Sequence, residues 1–177
     1  MERRLLRQEL AGFFWTAAVG TLLHFAYEWS GGSLPAAVLG SVNESVWEHM
    51  KLLVMPAFLL TAVQVWRLGE SHPNISAARA VTIPLGALLI PVLYYTYTGA
   101  LGIQVTWINI AIFYVATAVL FWVDWRLLRT GMPGSGWGQL LGLMILWGVV
   151  FVFVWCTFCP PELPLWQDPV TGGYGLP

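Results

Sequence analysis

The sequence predicts an all-α polytopic membrane bundle of five transmembrane helices, and three observations carry that reading. Five apolar runs are each long enough to cross hydrocarbon as a helix. Charge is scarce: 58% of residues are hydrophobic and 10% charged, with a mean hydropathy of +0.69, against roughly 25% charged residues in a soluble domain. Seven arginines fall where five crossings bring them to one side. At about 20 residues per crossing, 177 residues leave room for five or six spans and no separate soluble domain. We read residues 1–177 as one membrane-embedded domain. A net charge of −1 offers none of the positive excess that nucleic acid attracts, so the partner implied is the lipid bilayer.

The first run, 10–27, follows Arg3, Arg4 and Arg7 and leaves the membrane through His24-Phe25-Ala26-Tyr27-Glu28-Trp29. That exit is too bulky and polar for a cleaved signal, so the span is expected to be retained. Residues 33–40 are short, mildly apolar and punctuated by Pro35 and flanking glycines, which reads as a surface or re-entrant turn. The second run is 46–66 and the third 80–98; Pro56, Pro84 and Pro91 inside them are expected to kink helices, which membrane bundles tolerate. The fourth is 105–123 and the fifth 140–158. Arg67 and Arg79 bracket the loop between spans two and three, and Arg126 and Arg129 follow span four. The positive-inside rule then places the N-terminus in the cytoplasm and the C-terminus outside. The tail, 159–177, reads as rigid and turn-rich, with Leu165, Trp166 and Tyr174 available to pack onto the bundle.

That orientation collects polar residues at the outer ends of the spans and leaves the inner halves mostly apolar. The densest stretch is Ser41-Val42-Asn43-Glu44-Ser45-Val46-Trp47-Glu48-His49-Met50-Lys51, at the mouth of span two. An ionisable side chain near hydrocarbon is costly and is therefore a functional candidate. His24 and Glu28 are four apart and share a face of span one. Glu44, Glu48 and Lys51 share a face of span two, while His49 points about 100° away from Glu48. An outward pocket is expected, with His24 and His49 as candidate metal ligands and Glu48 and Glu44 as candidate catalytic carboxylates. Asn43, Ser45, Lys51, Glu28, Tyr27, Asn109 and Asp168 are the candidate binding residues, roofed by residues 29–43 and the tail.

Each also has a structural explanation. Ser41-x-x-Glu44 fits a capping box, and Asn43 is a good helix cap in its own right. Lys51 can neutralise Glu48 or snorkel. Asp168 before Pro169 marks a turn. Cys156 and Cys159 have disulfide-exchange spacing, but no thioredoxin-like context surrounds them, so a structural disulfide or two unpaired thiols is the better reading.

Two resemblances bear on this pattern. Val42-Asn43-Glu44-Ser45-Val46-Trp47-Glu48-His49 and the tail from Pro160 through Gly175 resemble a domain-of-unknown-function family of small bacterial and archaeal multi-pass membrane proteins. That resemblance implies a prokaryotic cytoplasmic membrane and no particular activity. Asn43-Glu44-Ser45-x-Trp47-x-His49 is similar to a first-helix motif of the progestin and adipoQ receptors, which belong with the alkaline ceramidases among metal-dependent membrane hydrolases. Those proteins have seven spans and a later His-x-x-x-His pair. This chain has about five spans and three histidines, with His72 on the opposite side, so their three-histidine site cannot be built here. A zinc site of His24, His49 and carboxylates is still chemically available. Three functions are weighed: a metal-assisted hydrolase at the outer leaflet; a binding or transport protein for a small polar or lipid-derived ligand; and an accessory subunit whose polar layer only locks helices together. Transport is disfavoured because neither an inverted repeat nor a polar path through the inner half is visible.

Overall fold

The computed structural model describes residues 2–68, 72–131 and 136–177. Within them the chain forms α1 (Glu2–Trp29), α2 (Leu34–Leu39), α3 (Val46–Leu68), α4 (Ile75–Leu101), α5 (Thr106–Thr130) and α6 (Gly136–Phe158). All but α2 are long and apolar enough to cross a membrane. Residues 33–40, expected as a turn, contain the short helix α2, with Pro35 in its first turn and Ala37 buried. α4 packs against α3, α5 and α6, and α1 packs against α3 and α5. α3 and α4 are mostly buried. α6 turns Leu141, Met144, Trp147, Phe151 and Trp155 outward, and α1 does the same with Phe14, Trp15 and Leu22. Exposed apolar area of that extent on a bundle calls for lipid rather than water.

Close helix approach depends on small residues. A Cβ at Gly142 in α6 would stand 2.7 Å from the Ala77 Cα and from the Ser76 carbonyl of α4. One at Gly20 in α1 would meet the Leu52 carbonyl of α3 at 2.5 Å and the Phe113 ring of α5 at 2.7 Å. Helix α1 can therefore lie against the backbone of α3 just after the motif ends. α3 and α4 run unbroken through Pro56, Pro84 and Pro91.

The helices outrun the apolar runs chiefly at the end that carries the arginines, α1 and α5 by about two turns each. The consequence is a correction. Arg79 is not a loop cation: it lies one turn inside α4 and is fully buried. Its Nη2 lies 3.1 Å from Glu9 Oε2 of α1 and 3.4 Å from Asp124 Oδ2 of α5, and donates to Gln64 Oε1 of α3 at 2.5 Å. Thr82 donates to Asp124 Oδ1 at 3.1 Å. The half of the bundle expected to be apolar thus holds a buried polar cluster drawn from four helices. The surface arginines behave differently: Arg129 pairs with Glu2 at 2.5 Å and lies over the Trp125 ring, as Arg126 does over Trp122.

Candidate functional site

The motif divides its side chains between a buried lock and an open cluster. The lock forms because α3 begins at Val46 with Ser45 as its cap. The Ser45 hydroxyl accepts the Glu48 backbone N–H at 3.3 Å, and the Asn43 side chain accepts the Ser45 N–H at 2.9 Å. The cap is therefore Ser45-x-x-Glu48, not Ser41-x-x-Glu44. Glu48 then points inward. It meets Lys51 Nζ at 2.6 Å, accepts from the Thr157 hydroxyl of α6 at 2.8 Å and from the Val42 N–H at 3.2 Å. Lys51 also donates to the Ala37 carbonyl of α2 and to Thr157, at 2.9 and 2.8 Å. Both side chains are essentially inaccessible, at 1% and 0% exposure. Neither lines the cavity described below, so the structure places Glu48, expected as catalytic, and Lys51, expected as a binding residue, in an interior ion pair. Together they pin α2, α3 and α6.

The tail closes over this lock. Trp47 stacks on Phe153 with ring centroids 4.2 Å apart and packs on Trp166, while its backbone N–H donates to the Leu165 carbonyl at 3.0 Å. The Asn43 amide donates to the Gly175 carbonyl at 2.7 Å, so Asn43 fastens the tail and does not line a pocket. Asp168 is buried and caps its own turn, accepting from the Val170 N–H at 2.9 Å and the Thr171 hydroxyl at 2.8 Å. It too leaves the candidate binding set, although its neighbours Pro169 and Val170 reach the cavity below. Cys156 and Cys159 are free thiols.

The open cluster joins α1, the loop before α3, and α3. His24 Nε2 and His49 Nε2 each lie 3.6 Å from a different oxygen of Glu44. The two imidazole centroids are 5.2 Å apart. His49 Nδ1 donates to the Ser45 carbonyl, which can only accept, at 2.9 Å, and Nε2 is left turned toward Glu44. The Ser41 hydroxyl donates to the His24 carbonyl at 3.1 Å and so receives a hydrogen bond from His24 Nδ1, at 3.3 Å. His24 Nε2 is likewise left facing Glu44. Second partners of this kind orient metal-ligating histidines. Ligand atoms of the three side chains lie within 4.8 Å of one another.

Glu28, expected beside His24, is exposed on the last turn of α1 and takes no part. Tyr27 faces the Gly32 turn and does not line the cavity described below. The carboxylate that His24 meets comes from the loop, which no helical spacing could reveal.

Beneath the cluster lies a cavity of about 540 Å³ bounded by α1, α3, α4, α5 and the tail. Gly20, Leu52, Ile90, Ile112 and Phe113 form apolar walls, and Thr21, Tyr94, Asn109 and Tyr114 supply polar points. Asn109 accepts a short hydrogen bond from Tyr97, and the Tyr114 hydroxyl lies 3.2 Å from Thr21 Oγ1. The cavity is thus mainly apolar, with His24, Glu44 and His49 as the expected ionisable residues that reach it. Sequence reading missed Thr21 and Tyr114, which carry no charge in an apolar run. It also missed Ser41 as the partner of His24.

A family of unknown function, DUF6512, matches residues 9–176. The chain belongs to that family. The match runs from Glu9 through the tail and so spans both the histidine cluster and the Arg79 cluster. No curated protein and no solved structure matches the chain.

Proposed function

We propose that this protein is a membrane-embedded, zinc-dependent hydrolase of amphiphilic substrates. The observation that carries the reading is the convergence of two imidazole Nε2 atoms and one carboxylate on a single point, with each Nδ1 already engaged elsewhere. Two histidines with a glutamate, their ligand atoms within 4.8 Å of one another, are a donor set that suits zinc and leaves a coordination position open. A bound ion would lower the pKa of a water and polarise a substrate carbonyl or phosphoryl oxygen. The chain's own part is to hold both Nε2 atoms through Ser45 and Ser41, and to keep Glu44 on both. It also offers an apolar cavity to an acyl or similar chain, with Tyr114 and Asn109 placed for polar atoms near the head. The substrate class follows from the mainly apolar walls beside one polar end.

In the orientation that the arginines favour, the histidine cluster faces outward from a prokaryotic cytoplasmic membrane, with the N-terminus inside. Labelling a cysteine at Gly173, in a chain with Cys156 and Cys159 replaced by serine, is expected from outside the cell; labelling only from inside reverses the orientation.

The activity test uses purified, zinc-loaded protein in vesicles, offered long-chain esters, amides and phosphoesters together with their short-chain counterparts. Zinc-dependent cleavage of a long-chain compound, lost in His49→Ala, is the expected result. Full zinc occupancy with no turnover would shift the reading to a solute-binding or transport protein, which the buried Glu9–Arg79–Asp124 cluster independently favours.

A further inference from the structure

The Arg79 cluster lies at the opposite end of the bundle from the histidines and is not needed for the hydrolytic chemistry. Its charges do not balance. Two carboxyl groups, Glu9 and Asp124, face one guanidinium, with exposures of 2%, 0% and 0%. Among the described residues, the other polar groups hydrogen-bonded to them, Gln64 from α3 and Thr82 from α4, are neutral, and the charged groups facing one another come from α1, α4 and α5. With both acids ionised, the site would hold a net negative charge away from water, which is strongly unfavourable.

The hydrogen bonds point the same way. A single nitrogen, Arg79 Nη2, serves Glu9 and Gln64, while Nε and Nη1 make no hydrogen bond and the guanidinium lies 4.6 Å over the Phe121 ring. Asp124 Oδ2 is buried and has no hydrogen-bond donor from another residue type; the Arg79 nitrogen 3.4 Å away is not aligned to donate. The Glu9 carboxyl faces the same Arg79 nitrogen, 3.1 Å away, so the two acids converge on one point. Two carboxylates cannot hydrogen-bond each other; a carboxylic acid and a carboxylate can.

We infer that Glu9 and Asp124 form a proton-binding site, holding one proton between them at neutral pH with Arg79 balancing the remaining charge. The proton comes from solvent and is held in a hydrogen bond between the two carboxyl groups. Linkage gives the sign of the pH effect. Unfolded carboxyls release their protons above about pH 4, whereas the folded pair keeps one. The folded state then binds one proton more than the unfolded state, so stability falls as pH rises, by about tenfold in the unfolding constant per pH unit. The fall ends once the folded pair also ionises.

Infrared spectroscopy of the full chain in detergent tests this, because a protonated carboxyl shows a C=O stretch that a carboxylate lacks. The wild type at neutral pH is expected to show such a band, and both Glu9→Gln and Asp124→Asn are expected to lose it. The wild-type melting temperature is expected to fall from pH 5 to pH 8, and that of Glu9→Gln to change much less, since its amide supplies the donor permanently. A wild type with no such band, a band that survives both substitutions, or a wild-type melting temperature independent of pH would each overturn the assignment. None of these readouts depends on metal at the histidine cluster.

Discussion

Replacing Lys51 with methionine is expected to destabilise the protein by about 3–5 kcal/mol, the usual cost of stranding one member of a buried ion pair. The size follows from the surroundings. Glu48 is 1% exposed and would keep only the Thr157 hydroxyl and the Val42 N–H as partners. The loss should propagate, because Lys51 Nζ also holds the Ala37 carbonyl of α2 and Thr157 of α6. Glu48→Gln should be costly for the mirrored reason, leaving an ammonium without its anion. The Lys51→Met/Glu48→Gln double variant should be less damaged than the sum of the two, since it strands no charge. Glu162→Gln, on the exposed tail, should change stability by less than about 0.5 kcal/mol. Thermal melts in detergent compare all four. Equal shifts for Lys51→Met and Glu162→Gln would contradict a buried lock.

The five long helices were legible because apolar run length is a direct readout of what hydrocarbon tolerates. Their ends at the arginine side were not, and the reason is physical. A hydropathy run stops at the first charge, so Glu9, Arg79 and Asp124 were placed at the margins of their spans. In the structure they neutralise one another in the interior, and the helices continue past them. Pairing between distant segments is invisible along the chain. The motif shows the same limit. Helical spacing separated the direction of Glu48 from that of His49, yet it paired His24 with Glu28 on its own helix. The structure instead brings in Glu44, from the loop that follows α2. Tail contacts such as Asn43 with Gly175 depend on a chain reversal that no local pattern specifies.

Glu44→Gln is expected to weaken zinc binding by more than 100-fold and to leave the melting temperature of metal-free protein close to that of the wild type. Both expectations rest on the same geometry. Glu44 is the one carboxylate facing both Nε2 atoms, yet its side chain is 49% exposed, so the fold does not depend on it. Ser41→Ala should have a smaller effect, roughly 10- to 100-fold, because it removes the group that orients His24 and no ligand. Zinc titration of each variant against the wild type checks the ranking. Equal affinities for Glu44→Gln and the wild type would place any bound metal elsewhere.

The most direct measurement is the zinc content of the purified wild-type protein beside His24→Ala/His49→Ala, after equilibration with zinc and removal of the excess. A two-histidine, one-carboxylate site predicts about one ion per chain in the wild type and essentially none in the double variant. A wild type that retains no more zinc than the double variant would contradict the metal site and leave His24, Glu44 and His49 as a protonated, purely structural contact.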